Sequence, residues 1–437
     1  MKGWTVLCAS PLDLVIQNMA QLLTTLQDPQ LVAQFQRYCG LSLQPKGEAN
    51  GTSLGNYPLE TNQRGRGKTT GGNGITQQNG NTNHSNGSYA NGALKQVNTK
   101  KYRVQNYFLY YLFRFAAALG QEVFYITFLP FTYWNLDPFI GHRLVVVWAI
   151  VMYFGQASKD LLKWPRPSSP PVVKLETRVD AEYGMPSTHA IAATAISFTF
   201  LWGDTRTTCE HAEAHMSQVK YVQTVNSAYL FWLGFLAALF LSTLVSLSRL
   251  YTGMHTVLDV ICGALIALLF LALTYPVWGE MDKVLLSHPL SPVFTIIVGF
   301  LASYNYPEMD HYSTTRADTT TIIGVAVGTC VGVSIGNLDL NSVPSDQFPL
   351  PIPAISFHRV LLQTERFLLG IILLLITRFL AKTLSLQTLG TWHNVCTKDH
   401  LVRQRLEIEV PYKFVTYTSI GFVATAVVPQ LCEFLGI

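Results

Sequence analysis

Apolar residues dominate the chain from Tyr107 to its C-terminus, in stretches separated by short polar breaks. Ten stretches stand out: 107–120, 122–136, 142–162, 188–204, 227–247, 255–277, 292–304, 319–336, 366–384 and 412–436. A bilayer core takes about 20 helical residues, so the short stretches at 107–120, 122–136 and 292–304 leave about eight to ten crossings. The expected fold class is therefore an all-α, polytopic membrane helical bundle. Ahead of it, residues 28–40 read as a short amphipathic helix, with Asp28 as cap, Pro29 in the first turn and Gly40 as stop. That helix lies either on a membrane surface or on the rest of the protein. Residues 44–100 are rich in Gly, Asn, Thr, Ser and Gln, with almost no large aliphatics. Such a tract cannot bury enough surface to offset its ordering entropy, which predicts disorder. Three units result: an N-terminal helical segment (1–43), a disordered linker (44–104) and a membrane-embedded domain (105–437).

Composition agrees. The chain is 49% hydrophobic and 13% charged, where soluble domains carry about 25% charged residues. A net charge of +4, spread along the chain, makes no case for nucleic acid. The seven cysteines are scattered, with no pair at metal-ligand spacing, which argues against a zinc site or a disulfide framework. Sequons at Asn50, Asn83 and Asn86 are of the kind that arises by chance in an Asn-rich tract, and are read as unmodified. Lys100, Lys101 and Arg103 precede the first apolar stretch, and the positive-inside rule puts that region in the cytosol. If every stretch crosses, the end of 142–162 then faces the lumen or exterior.

Three segments carry chemistry: 159–167 (KDLLKWPRP), 185–190 (MPSTHA) and 248–259 (SRLYTGMHTVLD). They follow the 142–162 stretch, open the 188–204 stretch, and bridge 227–247 to 255–277. Two crossings separate the second from the third, so all three meet at one membrane face. Lys159, Arg166 and Arg249 supply three cations for a phosphate, and an Arg fork matches two of its oxygens. Ser187 offers a hydroxyl, and Pro186-Ser187-Thr188-His189 opens a helix whose free N–H groups bind anions. His255 and Asp259 stand four apart at a helix start. An Asp on one ring nitrogen fixes the tautomer and leaves the other free to attack. His255 is thus the candidate nucleophile, Asp259 its orienter, and His189 the proton donor to the leaving alkoxide. Asp160, Asp180, Glu182 and Asp259 form no clear carboxylate cage, so no metal and no cofactor are expected. Asp180 and Glu182 are read as solvated loop charges or cap aids.

These segments resemble the signature of the type-2 phosphatidic acid phosphatase superfamily: Lys, six residues, Arg-Pro; then Pro-Ser-Gly-His; then Ser-Arg, five residues, His, three residues, Asp. The signature falls on Lys159, Arg166 and Pro167; Pro186, Ser187 and His189; Ser248, Arg249, His255 and Asp259. Thr188 stands where the general pattern has Gly, and its β-carbon crowds that point. Pro-Ser-Thr-His is similar to the sphingosine-1-phosphate phosphatase branch, as are the wider contexts at 159–176, 182–190 and 248–260. Thr188 joins Lys159, Arg166, Ser187 and Arg249 as a phosphate ligand on that resemblance. It implies a six-helix phosphatase core and a magnesium-independent hydrolase of the endoplasmic reticulum membrane with a lumenal site. The implied partners are the bilayer and a phosphorylated sphingoid base, sphingosine 1-phosphate or dihydrosphingosine 1-phosphate. A broad-specificity lipid phosphatase or a head-group transferase would use the same residues and differ in substrate or product. A lipid-phosphate binder or transporter would use the cations without needing His255 or Asp259.

Overall fold

The computed structural model describes residues 11–44, 102–176, 182–212, 220–307, 309, 312–336 and 356–437. Most of the Gly/Asn-rich tract, with its three sequons, Lys100 and Lys101, lies outside them, as does Asp180. Two N-terminal helices come first, α1 (Pro11–Gln27) and α2 (Pro29–Tyr38). The Gln30 N–H donates to the Asp28 carboxylate at 2.8 Å, the expected cap. Gly40, at φ +80°, turns the chain out of α2 in a backbone conformation that side chains rarely tolerate. The chain then enters β1 (Leu41–Leu43), which pairs antiparallel with β2 (Tyr102–Val104). The last three residues of the segment expected to be disordered are thus a strand, because Leu41 and Leu43 supply a partner edge opposite Val104 and Tyr102.

The bundle follows: α3 (Tyr107–Ala118), α4 (Glu122–Asn135), α5 (Pro138–Leu162), α6 (Thr188–Ala212), α7 (Lys220–Tyr251), α8 (Val257–Thr274), α9 (Trp278–Ser287), α10 (Ser291–Tyr304), α11 (Thr315–Ile335), α12 (Phe357–Trp392), α13 (His400–Arg403), α14 (Leu406–Phe422) and α15 (Val428–Leu435). All ten predicted apolar stretches are helical. Six continuous helical spans among the described residues are long and apolar enough to cross a membrane, and α3 with α4 forms a pair bent by 63°. α5 is the central helix. Its Leu144, Trp148 and Met152 are buried against Tyr125, Ile196 and Ile322 from α4, α6 and α11. α12 is peripheral: Leu368, Leu375, Phe379 and Leu380 are exposed, as a lipid-facing helix requires.

The bend between α3 and α4 changes the expected path through the membrane. α3 starts beside Gly40, whose carbonyl accepts the Gln105 N–H at 2.7 Å. Its Phe113 stacks on Tyr251 at 4.8 Å, and the following Gly120 packs against His189. Both ends of α3 therefore sit where α5 stops and α6 starts. Only α4 runs to the far end, where Trp134 Nε1 donates to the Ala424 carbonyl at 2.7 Å. Twelve residues rise about 18 Å, short of a hydrocarbon core of about 30 Å. The expectation that every stretch crosses fails at α3. The N-terminal segment and this end of the bundle share one face.

α11 and α14 meet through small residues. Gly324, Gly328 and Gly332 are spaced by four, and a β-carbon on Gly328 would lie 2.1 Å from the Thr418 carbonyl oxygen. Such stripes let transmembrane backbones approach closely where no hydrophobic effect drives helices together. Gly328→Val should destabilise the detergent-solubilised protein by about 1–3 kcal/mol through overpacking. The check is a thermal unfolding midpoint, and an unchanged midpoint would contradict the close packing.

Candidate active site

The three chemistry-bearing segments meet. Lys159 lies in the last turn of α5, which ends on Lys163 in the left-handed conformation at φ 52°. α7 runs four residues past its predicted end, so Arg249 sits in its last turn rather than beyond it. Lys159 and Arg249 are 2% and 1% exposed, so neither reaches out to an interface. Arg166 donates to two backbone carbonyls, Glu182 O at 2.9 Å and Met254 O at 3.1 Å. It thereby ties the loop after α5 to the turn that carries His255.

His255 is not on a helix. It precedes Thr256, the cap of α8, and Thr256 and Asp259 form a capping box. The Thr256 N–H donates to Asp259 Oδ2 at 2.7 Å. The same Oδ2 lies 3.6 Å from His255 Nδ1, beyond hydrogen-bond reach. The simple helical spacing expected for this pair is thus replaced by a cap that holds the carboxylate beside the ring. Burial, with Arg166, Arg249 and Lys159 adding to it, holds His255 well below the usual histidine value, against a hydrogen bond with the Gly184 backbone. The ring is neutral at neutral pH, as a nucleophile must be.

Ser187 immediately precedes α6, as expected, and its backbone N–H is already spent on the Asp259 carbonyl at 3.0 Å. Its hydroxyl is buried with no partner among the described residues, as are Arg249 Nε, His255 Nδ1 and Asp259 Oδ1. Buried polar atoms without partners are costly; three of these belong to residues expected to hold or attack a phosphate, and the fourth to the carboxylate beside the nucleophile. Thr188 brings its hydroxyl 3.5 Å from Lys159 Nζ. His189, partly exposed, stands beside Gly120.

Two carboxylates were misread from the sequence or not singled out. Glu182, expected to be solvated or a cap aid, places Oε2 3.6 Å from Lys159 and 3.4 Å from Arg166. Glu176 takes Arg249 with both oxygens, at 3.4 and 3.2 Å. Gln36 on α2 was also missed. Its amide donates to the carbonyls of Val173 (2.7 Å) and Tyr251 (2.9 Å) and accepts the Val173 N–H at 2.8 Å. Buried excess cations could have signalled the first two residues, but nothing in the α2 sequence distinguishes Gln36 from other polar residues. Among the described residues, no three His, Cys, Asp or Glu side chains gather as a metal site.

The PAP2 superfamily model matches residues 141–281, from α5 into α9, and so takes in all three segments. Sphingosine-1-phosphate phosphatase 2 of Homo sapiens is 50% identical over 433 residues, covering 96% of this chain and 100% of that protein. The chain belongs to the sphingosine-1-phosphate phosphatase family. Family likeness extends to sphingosine-1-phosphate phosphatase 1 of Mus musculus, 36% identical over 447 residues, with 96% of this chain and 99% of that protein covered. Lipid phosphate phosphatase delta of Arabidopsis thaliana is 27% identical over 292 residues, with 66% and 65% covered. No solved structure matches the chain. In this member of the family, α10–α15 and the N-terminal helices lie outside the superfamily match, yet Gln36 reaches into the frame of the site.

Replacing Gln36 with Leu leaves buried backbone groups of Val173 and Tyr251 without partners, at about 1–3 kcal/mol. Gln36→Leu should lower the thermal midpoint and expose the 168–176 loop to limited proteolysis. Unchanged protection of that loop would show that Gln36 does not hold it.

Proposed function

We propose that the protein hydrolyses the phosphate monoester of a sphingoid base, sphingosine 1-phosphate or dihydrosphingosine 1-phosphate, through a phosphohistidine intermediate. The observation that carries this reading is the convergence of a neutral, buried His255 with three cations and an unpartnered Ser187 hydroxyl at the start of a helix. Lys159, Arg166, Arg249, Ser187 and Thr188 receive the phosphate oxygens and meet the charge that spreads over them in the transition state. The ring nitrogen of His255 away from Asp259 attacks phosphorus, and the bond to the lipid oxygen breaks. His189 gives its proton to the departing alkoxide. Water then attacks the phosphohistidine, His189 takes its proton back, and phosphate leaves with His255 restored. Asp259, 3.6 Å from the ring, faces the positive charge that forms on it. The names of the relatives support the sphingoid base as substrate class.

We place the protein in the endoplasmic reticulum membrane, with the site on the lumenal face. With α3 not crossing, the positive-inside reading at Arg103 points to the other side, and the lumenal reading is carried by the family resemblance alone. Labelling of the site face by a membrane-impermeant reagent added to the cytosolic side would reverse the assignment.

In detergent, His255→Ala should abolish phosphate release from every substrate. His189→Ala should slow it about 10²–10⁴-fold, with less loss on esters whose leaving groups need no proton. Release should persist in excess chelator. Turnover by His255→Ala, or its loss with EDTA, contradicts the mechanism.

A further inference from the structure

Glu182 is a charged side chain at the site that the phosphoryl-transfer steps do not use. A dianion is held by cations, and a carboxylate beside them opposes it. Yet Glu182 is anchored there: its carbonyl accepts Arg166 Nε at 2.9 Å, and its Oε2 lies 3.4 Å from Arg166 and 3.6 Å from Lys159. These separations are long for ion pairs, which close to about 2.7–2.9 Å. Its Oε1 accepts the Thr314 hydroxyl at 3.3 Å. Glu176 differs, because both of its oxygens are committed to Arg249.

Depth separates the roles. Ser187 and Arg249 are 0% and 1% exposed, and their partnerless Oγ and Nε mark the floor where phosphate oxygens fit. The Glu182 side chain is 19% exposed, at the rim, where the part of the substrate next to the phosphate must lie. Three described cations, Lys159, Arg166 and Arg249, already face Asp259, Glu176 and Glu182. A dianion added to that set needs a further positive charge. A sphingoid base supplies it, because the carbon bearing its ammonium adjoins the carbon bearing the phosphate.

We propose that Glu182 is a specificity-determining residue that receives the ammonium group of a 2-amino lipid phosphate and disfavours lipid phosphates without an amine. The inference rests on the sphingoid-base reading above. When Oε1 takes the ammonium, Lys159 and Arg166 turn to the phosphate, so one carboxylate and two cations read both charges of the substrate.

The test compares phosphate release from sphingosine 1-phosphate with release from a long-chain alkyl phosphate and from the N-acylated lipid phosphate, in mixed micelles with the full chain. Wild type should favour the free amine. Glu182→Gln should cut kcat/KM for the amine substrate on the order of tenfold to a hundredfold, with a smaller loss on the other two. Glu182→Asp should recover part of the preference. An unchanged preference in Glu182→Gln overturns the proposal, whether all substrates lose equally or none does. If Glu182→Gln does not fold, product inhibition of the wild type decides. A long-chain 2-amino alcohol should inhibit more strongly than the matched alcohol, and equal inhibition overturns the proposal. Wild type that acts equally on all three substrates removes this inference alone. Wild type that releases no phosphate from a sphingoid-base phosphate removes the functional reading itself.

Discussion

Lys159, Arg166 and Arg249 bring three positive charges to one end of a membrane bundle, and much of the architecture answers that burial. A cation taken from water is tolerated only when it is paired and hydrogen-bonded. Here the pairing comes from loops rather than from neighbouring helices. Glu176 and Glu182 approach from the connection between α5 and α6, and Arg166 spends two donors on backbone carbonyls of that connection and of the turn before α8. The loops are held in place by the charges they serve.

That arrangement explains why elements far apart in sequence converge on one end. Gln36 on α2 fastens Val173 to Tyr251, and Leu175 N–H donates to the Thr252 carbonyl at 3.0 Å. Together they set Glu176 opposite Arg249. From the other side, Asp160 is turned away from the phosphate ligands by Tyr306, which donates to it at 2.7 Å, and by Thr315 at 2.5 Å. Tyr306, just past α10, and Thr315, which opens α11, lie beyond the superfamily match and grip α5 one residue from Lys159. Both hydrogen bonds fall on Oδ2 of this buried carboxylate; they fix the depth of α5 in the bundle, and Lys159 moves with it.

The apolar runs were legible because a bilayer demands long helices with few charges, a constraint that a single sequence displays directly. The three chemical segments were legible because their spacing and crossing parity put them on one face. What stayed hidden depends on tertiary contact. α3 has the composition of a crossing helix, but its length and its packing against Tyr251 and His189 keep it at the site end. His255 and Asp259 stand close for a different reason than helical spacing, since the capping box sets Oδ2 3.6 Å from Nδ1, too far for the expected hydrogen bond. Glu182 looked like any loop glutamate because its partners lie 16 or more residues away.

Thr188 shows how a departure from a motif can be absorbed by its surroundings. Glycine at that position would keep the start of α6 open for an anion, and a threonine adds both bulk and a hydroxyl. The bulk is accommodated at the seam between α5 and α6, where Gly155 has no side chain: a β-carbon there would lie 2.6 Å from Ile191 and 3.8 Å from the Thr188 methyl. The hydroxyl lies 3.5 Å from Lys159 Nζ, at the limit of a hydrogen bond. A larger residue at 155 would press on α6 at its first turn and displace Thr188 from Lys159. The threonine and the glycine thus form one unit across two helices. Together they convert a lost backbone opening into an added donor beside the lysine.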